Sequence, residues 1–120
     1  MIYTSYWGNL KELVRVFGKK NIIGVSRWSK FWDGKKCSML FPSEDLLRGY
    51  KNGVINDEEY EKIYMDYLKS LNVDNCYKVF NGCVFVCYEK EGFCHRHLIS
   101  KWLKKYGYEC EEFGKEGDLF

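Results

Sequence analysis

At 120 residues, 46% apolar and 18% aromatic, with a single proline and no Ser/Gly tract, the chain is too hydrophobic to be disordered and offers no linker; residues 1–120 read as one α/β domain. Its 19 basic and 17 acidic residues leave a net charge of +2, too weak a field to attract nucleic acid or anionic lipid nonspecifically, so any positive site must be local. Nowhere do about 18 uncharged apolar residues run together, which excludes a membrane-spanning helix.

Met1 to Ser5 is apolar and β-prone. After the turn-like Tyr6-Trp7-Gly8-Asn9, Leu10, Leu13, Val14 and Phe17 recur at helical spacing, with Gly18 as C-cap. Asn21 to Val25 is a short buried strand, and Ser26-Arg27-Trp28 leaves it into an irregular aromatic segment. Ser43-Glu44-Asp45 and Asn56-Asp57-Glu58-Glu59 are N-caps with acidic first turns, which predicts two helices separated by Lys51-Asn52-Gly53. Cys83 to Cys87 (CVFVC) is apolar throughout, as a central strand covered on both faces should be. The loop Tyr88 to Gly92 precedes a helix from about Phe93 to Tyr106, which Gly107 closes, and Tyr108 to Phe113 alternates as a last strand, placed at an edge by its three glutamates. The order β-α-β-α-α-β-α-β predicts a three-layer α/β sandwich with a mostly parallel, Rossmann-like sheet and helices on both faces.

Six cysteines stand at 37, 76, 83, 87, 94 and 110. The opening MIYTSYWGNL has neither a basic n-region nor an apolar h-region, so the expectation is a cytoplasmic chain with reduced thiols rather than a disulfide framework. No Cys-x-x-Cys pair is present, and Cys83 and Cys87 would stand about 13 Å apart along one strand, too far to share a metal.

In parallel sheets the strand-to-helix loops gather at the carboxyl ends of the strands, where ligands bind. There the chain carries Ser5, Tyr6, Gly8 and Asn9 after the first strand, Ser26, Arg27 and Trp28 after the second, and Cys87, Tyr88 and Lys90 after the third. Cys94, His95 and Arg96 fall in the first turn of the last helix, whose free N–H groups favour an anion and lower a thiol pKa. Helical phase puts His95 in line with Leu98, Ile99 and Trp102 toward the sheet, and His97 with Lys101 and Lys104 toward solvent. Cys87, Cys94 and His95 are therefore the candidate catalytic residues. Arg27, Arg96, Ser5, Tyr6, Gly8, Asn9, Trp28 and Lys90 are the candidate ligand-binding ones. Each has a plainer alternative: a cysteine ending an apolar strand is a small hydrophobe, arginines cover surfaces, and aromatics pack cores.

The run Val86-Cys87-Tyr88-Glu89-Lys90-Glu91-Gly92-Phe93-Cys94-His95-Arg96-His97-Leu98-Ile99 resembles the signature of the family called domain of unknown function 488, in which an apolar strand ends in cysteine and Cys-His-Arg opens a helix. The opening TSYWGNL and the VSRW after the second strand resemble two earlier motifs of that family. The resemblance implies an α/β fold and draws attention to Cys87, Cys94, His95, Arg96, Arg27, Ser5 and Gly8, without naming an activity. The chain departs from members with an acidic residue just before the second-strand arginine, having Gly24, Val25 and Ser26 there.

The expected function is a pocket for a nucleotide or other phosphate-bearing anion, with Arg27 and Arg96 holding the charge. Under an enzymatic reading Cys87 or Cys94 is the nucleophile and His95 its base. The alternatives are a structural zinc site built from Cys87, Cys94 and His95 or His97, and a nucleic-acid or protein adaptor drawing on the arginines and tryptophans. No cofactor and no membrane partner are expected.

Overall fold

The computed structural model describes residues 1–89 and 93–114. Its nine principal elements follow in the order β1 (Ile2–Tyr6), α1 (Leu10–Phe17), β2 (Ile22–Gly24), α2 (Glu44–Lys51), α3 (Asp57–Lys69), α4 (Val73–Phe80), β3 (Val84–Cys87), α5 (His95–Lys105) and β4 (Cys110–Glu112). The four strands form one sheet in the order β2-β3-β1-β4, every pair parallel. Helices pack on both faces, so the expected α/β sandwich is the observed fold.

The apolar run of Val84 to Cys87 explains the sheet's centre. All four of its residues are 0% exposed. Because successive side chains on a strand point to opposite faces, Val84 and Val86 enter the core beneath α1 with Trp7, Leu13, Ile22 and Trp32, whereas Phe85 and Cys87 enter the larger core on the other side. That larger core holds Leu46, Tyr60, Tyr64 and Leu68 of α2 and α3 together with Leu98, Ile99, Trp102 and Leu103 of α5. At roughly 1.5–3 kcal/mol for each large apolar side chain removed from water, these residues hold the layers together.

Element ends follow their caps. α1 stops where Gly18 takes φ +79°, a conformation that a residue with a Cβ rarely adopts, and the Gly18 N–H closes on Val14 O. α2 starts on Ser43, whose hydroxyl accepts from the Leu46 N–H, and α3 on a reciprocal capping box between Asn56 and Glu59. One helix has no counterpart in the sequence reading. α4 is built from Val73-Asp74-Asn75-Cys76-Tyr77-Lys78-Val79-Phe80, mostly weak helix formers, and its N-terminus is held by the Asn72 side chain accepting from the Asn75 N–H. The irregular segment after β2 doubles back: the Gly24 N–H donates to Lys35 O and the Cys37 N–H to Gly24 O, which runs a piece of backbone along the outer side of β2.

β1 is followed by α1 on one face, and β3, its neighbour in the sheet, by α5 on the other. Chain segments leaving adjacent strands toward opposite faces open a crevice between them at the carboxyl end, where parallel sheets take their ligands. Tyr6 and Cys87 are register partners at that point.

Candidate functional site

The turn after β2 is locked from within. Ser29 Oγ donates to Ser26 O at 2.8 Å, Ser26 Oγ donates to Ser29 Oγ at 3.1 Å, and the Trp7 indole N–H reaches Ser26 Oγ at 3.3 Å. This small buried network projects Arg27 and Trp28 outward from a rigid base. Arg27 Nε donates to Pro42 O at 2.9 Å and its guanidinium lies over the Phe41 ring, 5.8 Å from the centroid. The Tyr88 hydroxyl, just past β3, donates to Trp28 O at 2.7 Å and joins the exits of the two strands.

Beside this turn lies a cavity of about 570 Å³, within the range of small-molecule sites. Ser26, Arg27 and Trp28 form one wall, Tyr88, Glu89 and His95 a second, and Pro42, Leu47, Tyr50 and Lys51 a third. Among the described residues two cations and one carboxylate line it, together with the rings of Trp28, Tyr50 and Tyr88. The contribution of α2 (Leu47, Tyr50, Lys51) was not read from sequence: these residues lie some twenty positions beyond Arg27, and only the packing of α2 against the sheet brings them across.

His95 is 6% exposed and borders this cavity. Its Nε2–H donates to Val25 O at 2.7 Å, which leaves Nδ1 as an acceptor facing Cys94 Sγ at 4.0 Å. Burial pulls its pKa down to about 4, with the Arg96 charge adding to the effect against the Val25 hydrogen bond, so the ring is neutral at pH 7. His97 is exposed, as helical phase required.

Behind His95 the remaining residues of the Cys-His-Arg run form a buried cluster. Cys94 is the N-cap of α5, in extended conformation, and its sulfur meets that of Cys87 in a disulfide. Both thiols had been expected free; the sulfur at the end of β3 and the sulfur at the N-cap of α5 are instead joined. Cys37, Cys76, Cys83 and Cys110 are free thiols. Arg96 is 0% exposed and donates from Nη1 to Cys87 Sγ at 3.4 Å and to the Glu89 carbonyl, and from Nε and Nη2 to the carboxylate of Glu112. The Tyr6 ring lies beside its guanidinium, 5.9 Å from the centroid.

The predicted residues thus divide among three neighbouring places. Arg27, Trp28 and His95 line the cavity. Cys87, Cys94, Arg96 and Tyr6 form the cluster behind it, where Arg96 is committed to Glu112 and does not line the cavity. The third group lies on the β4 side of that same carboxyl end: Ser5 Oγ donates to Phe113 O at 2.9 Å and accepts from Asn9 Nδ2 at 3.2 Å. Gly8 belongs with it through a close approach, since a Cβ there would lie 2.5 Å from the Tyr6 ring. Lys90 lies outside the described residues.

No helix among the described residues is long and apolar enough to cross a membrane. Comparison of the chain with protein-family models, with curated proteins and with solved structures finds no match.

Proposed function

We propose that this chain binds a small phosphate-bearing ligand of the nucleotide class in the cavity between the exits of β2 and β3 and helix α2. The observation that carries the reading is Arg27: its Nε is spent on Pro42 O, which fixes the guanidinium at the cavity wall and leaves its two terminal amino groups for an anion. Lys51 adds a second cation from the opposite wall. Trp28, Tyr50 and Tyr88 supply flat apolar faces for a planar ring, and Ser26 and Glu89 supply acceptors for hydroxyl groups. A neutral His95 adds an apolar edge without adding charge. Of the two runs that resemble domain of unknown function 488, VSRW contributes Ser26, Arg27 and Trp28 to this cavity and the Cys-His-Arg run contributes His95.

Ligand binding, rather than covalent catalysis, is the activity this geometry favours. A nucleophilic thiolate at Cys87 or Cys94 requires the disulfide between them to be opened first.

The test is calorimetric titration with adenosine, AMP, ADP and inorganic phosphate, on the wild type and on Arg27→Ala and Lys51→Ala. The expected result is binding of the phosphorylated nucleosides, weakened about tenfold or more by Arg27→Ala. Absence of binding by every member of the panel, or affinities unchanged by Arg27→Ala, would overturn the assignment.

A further inference from the structure

Cys87 Sγ, Cys94 Sγ and a His95 nitrogen all lie within 4.8 Å of one another, and all three residues are buried. We infer that in the reduced protein these three atoms form a binding site for a zinc-class metal ion. The site is distinct from the anion pocket and does not depend on that pocket being correctly assigned.

The first argument is the direction of the His95 lone pair. The hydrogen bond from Nε2–H to Val25 O sets the tautomer, so Nδ1 is a buried acceptor. The atom it faces is Cys94 Sγ, so this lone pair and a sulfur ligand point into the same space. A metal ion bound at Nδ1 satisfies that lone pair. A metal-bound histidine ordinarily donates its other N–H to a backbone carbonyl or a carboxylate, and Val25 O already occupies that role.

The second argument is distance. With zinc–sulfur bonds of about 2.3 Å and zinc–nitrogen bonds of about 2.0–2.1 Å, neighbouring ligand atoms in a tetrahedral site stand roughly 3.5–3.8 Å apart. The 4.0 Å between Cys94 Sγ and His95 Nδ1 is close to that edge. Cys87 is held at the end of the central strand and Cys94 at the N-cap of α5, so two regular elements position the sulfurs.

Charge is the third. Two thiolates balance a divalent cation, and the adjacent Arg96 is paired with Glu112. Arg96 Nη1 already points a hydrogen bond at Cys87 Sγ, the kind of contact that steadies a ligating thiolate. Three protein ligands leave a fourth position on a tetrahedral ion for water or another small ligand. His95 is the ligand shared with the cavity wall.

Loading the site first takes two electrons and two protons to convert the disulfide into two thiols: a phosphine supplies the electrons and becomes its oxide, and water supplies the protons and the oxide's oxygen. The metal then displaces both thiol protons to solvent.

The experiment is titration of phosphine-reduced, full-length protein with cobalt(II) under argon, followed by zinc competition. The expected result is one cobalt per chain, with the thiolate-to-cobalt charge-transfer band and the visible bands of a tetrahedral ion, all abolished by zinc. Cys87→Ser and Cys94→Ser should each weaken binding by at least about 100-fold, His95→Gln by at least about tenfold with the sulfur band retained, and Cys110→Ser not at all. Should a serine variant fail to fold, wild-type protein answers the question by mass spectrometry: zinc should protect Cys87 and Cys94 from alkylation and leave the remaining cysteines unaffected. Lack of a charge-transfer band, or zinc protection confined to other cysteines, overturns the site. Arg27→Ala should leave cobalt binding unchanged, so failure of the anion pocket and failure of the metal site are separately readable.

Discussion

Arg96 and Glu112 meet as a fork: Nε lies 3.1 and 3.2 Å from the two carboxylate oxygens and Nη2 lies 2.9 Å from Oε2, with the arginine side chain 0% and the glutamate 13% exposed. The pair ties the first turn of α5 to β4 across the carboxyl end of the sheet. Burial raises the Glu112 pKa, but the hydrogen bonds from Arg96 and Thr4 outweigh it and hold the carboxyl below its ordinary value of 4.5. The folded group gives up its proton more readily than the unfolded one, so its contribution to stability is complete above about pH 4.5 and is lost as pH falls through the lower folded value. Glu112→Gln removes the carboxylate charge that Arg96 meets through Nε and Nη2. It should cost roughly 3–5 kcal/mol near neutral pH and flatten the acid limb of a urea-unfolding stability profile.

The hydrogen bond from His95 to Val25 anchors the start of α5 to the end of β2, and Val25 is 0% exposed. His95→Phe keeps a planar ring of larger size but strands the Val25 carbonyl. An unsatisfied buried acceptor costs about 1–3 kcal/mol, which should appear as a lower denaturant midpoint with an unchanged m-value. His95→Gln retains a donor and should lose less.

Tyr64 is 1% exposed, donates its hydroxyl to Leu40 O at 2.6 Å, and meets the His95 ring edge-on at 5.6 Å. Tyr64→Phe preserves the packing and removes only the hydroxyl, leaving a carbonyl unpaired in the main core. The expected loss is about 1–2 kcal/mol by chemical denaturation, with anion and metal binding intact.

The free cysteines should be sluggish toward alkylation. Burial pushes the Cys76 thiol up to about 12, and burial also raises Cys37, Cys83 and Cys110. At pH 8 all four are overwhelmingly protonated in the folded chain, and the thiolate is the reactive form. Peptide mass mapping after brief iodoacetamide treatment of native protein should find them largely unmodified, and modified once urea is added. Without reductant, Cys87 and Cys94 should be recovered as one cross-linked peptide pair.

Local signals in the sequence carried the strands and four of the helices because their residues state their environment. The unbroken apolar run at Val84–Cys87 can only be a covered strand, Asn56 with Glu59 can cap only a helix that follows, and the phase of Leu98, Ile99 and Trp102 separated His95 from His97. What escaped depends on distance along the chain. Glu112 read as an edge-strand solvating charge, and only the sheet order β3-β1-β4 makes it the partner of Arg96, sixteen residues earlier. Ser5 and Asn9 read as ligand donors because they follow a strand, yet their hydrogen bonds go to each other and to Phe113. The pairing of Cys87 with Cys94 joins the end of β3 to the N-cap of α5, a tertiary approach that the periodicity of neither element encodes.

The two edges of the sheet differ in a way that bears on how the protein behaves at high concentration. Along β2 the backbone of Lys35 to Cys37 already occupies the positions that a foreign strand would need. Among the described residues β4 is the strand left with an open side, and it is three residues long with Glu111 exposed. A second copy adding there would bring exposed Glu111 carboxylates near one another, and would gain few ladder bonds in return. Edge-to-edge templating of native chains is thereby opposed at one border by steric occupation and at the other by charge and by the shortness of the strand.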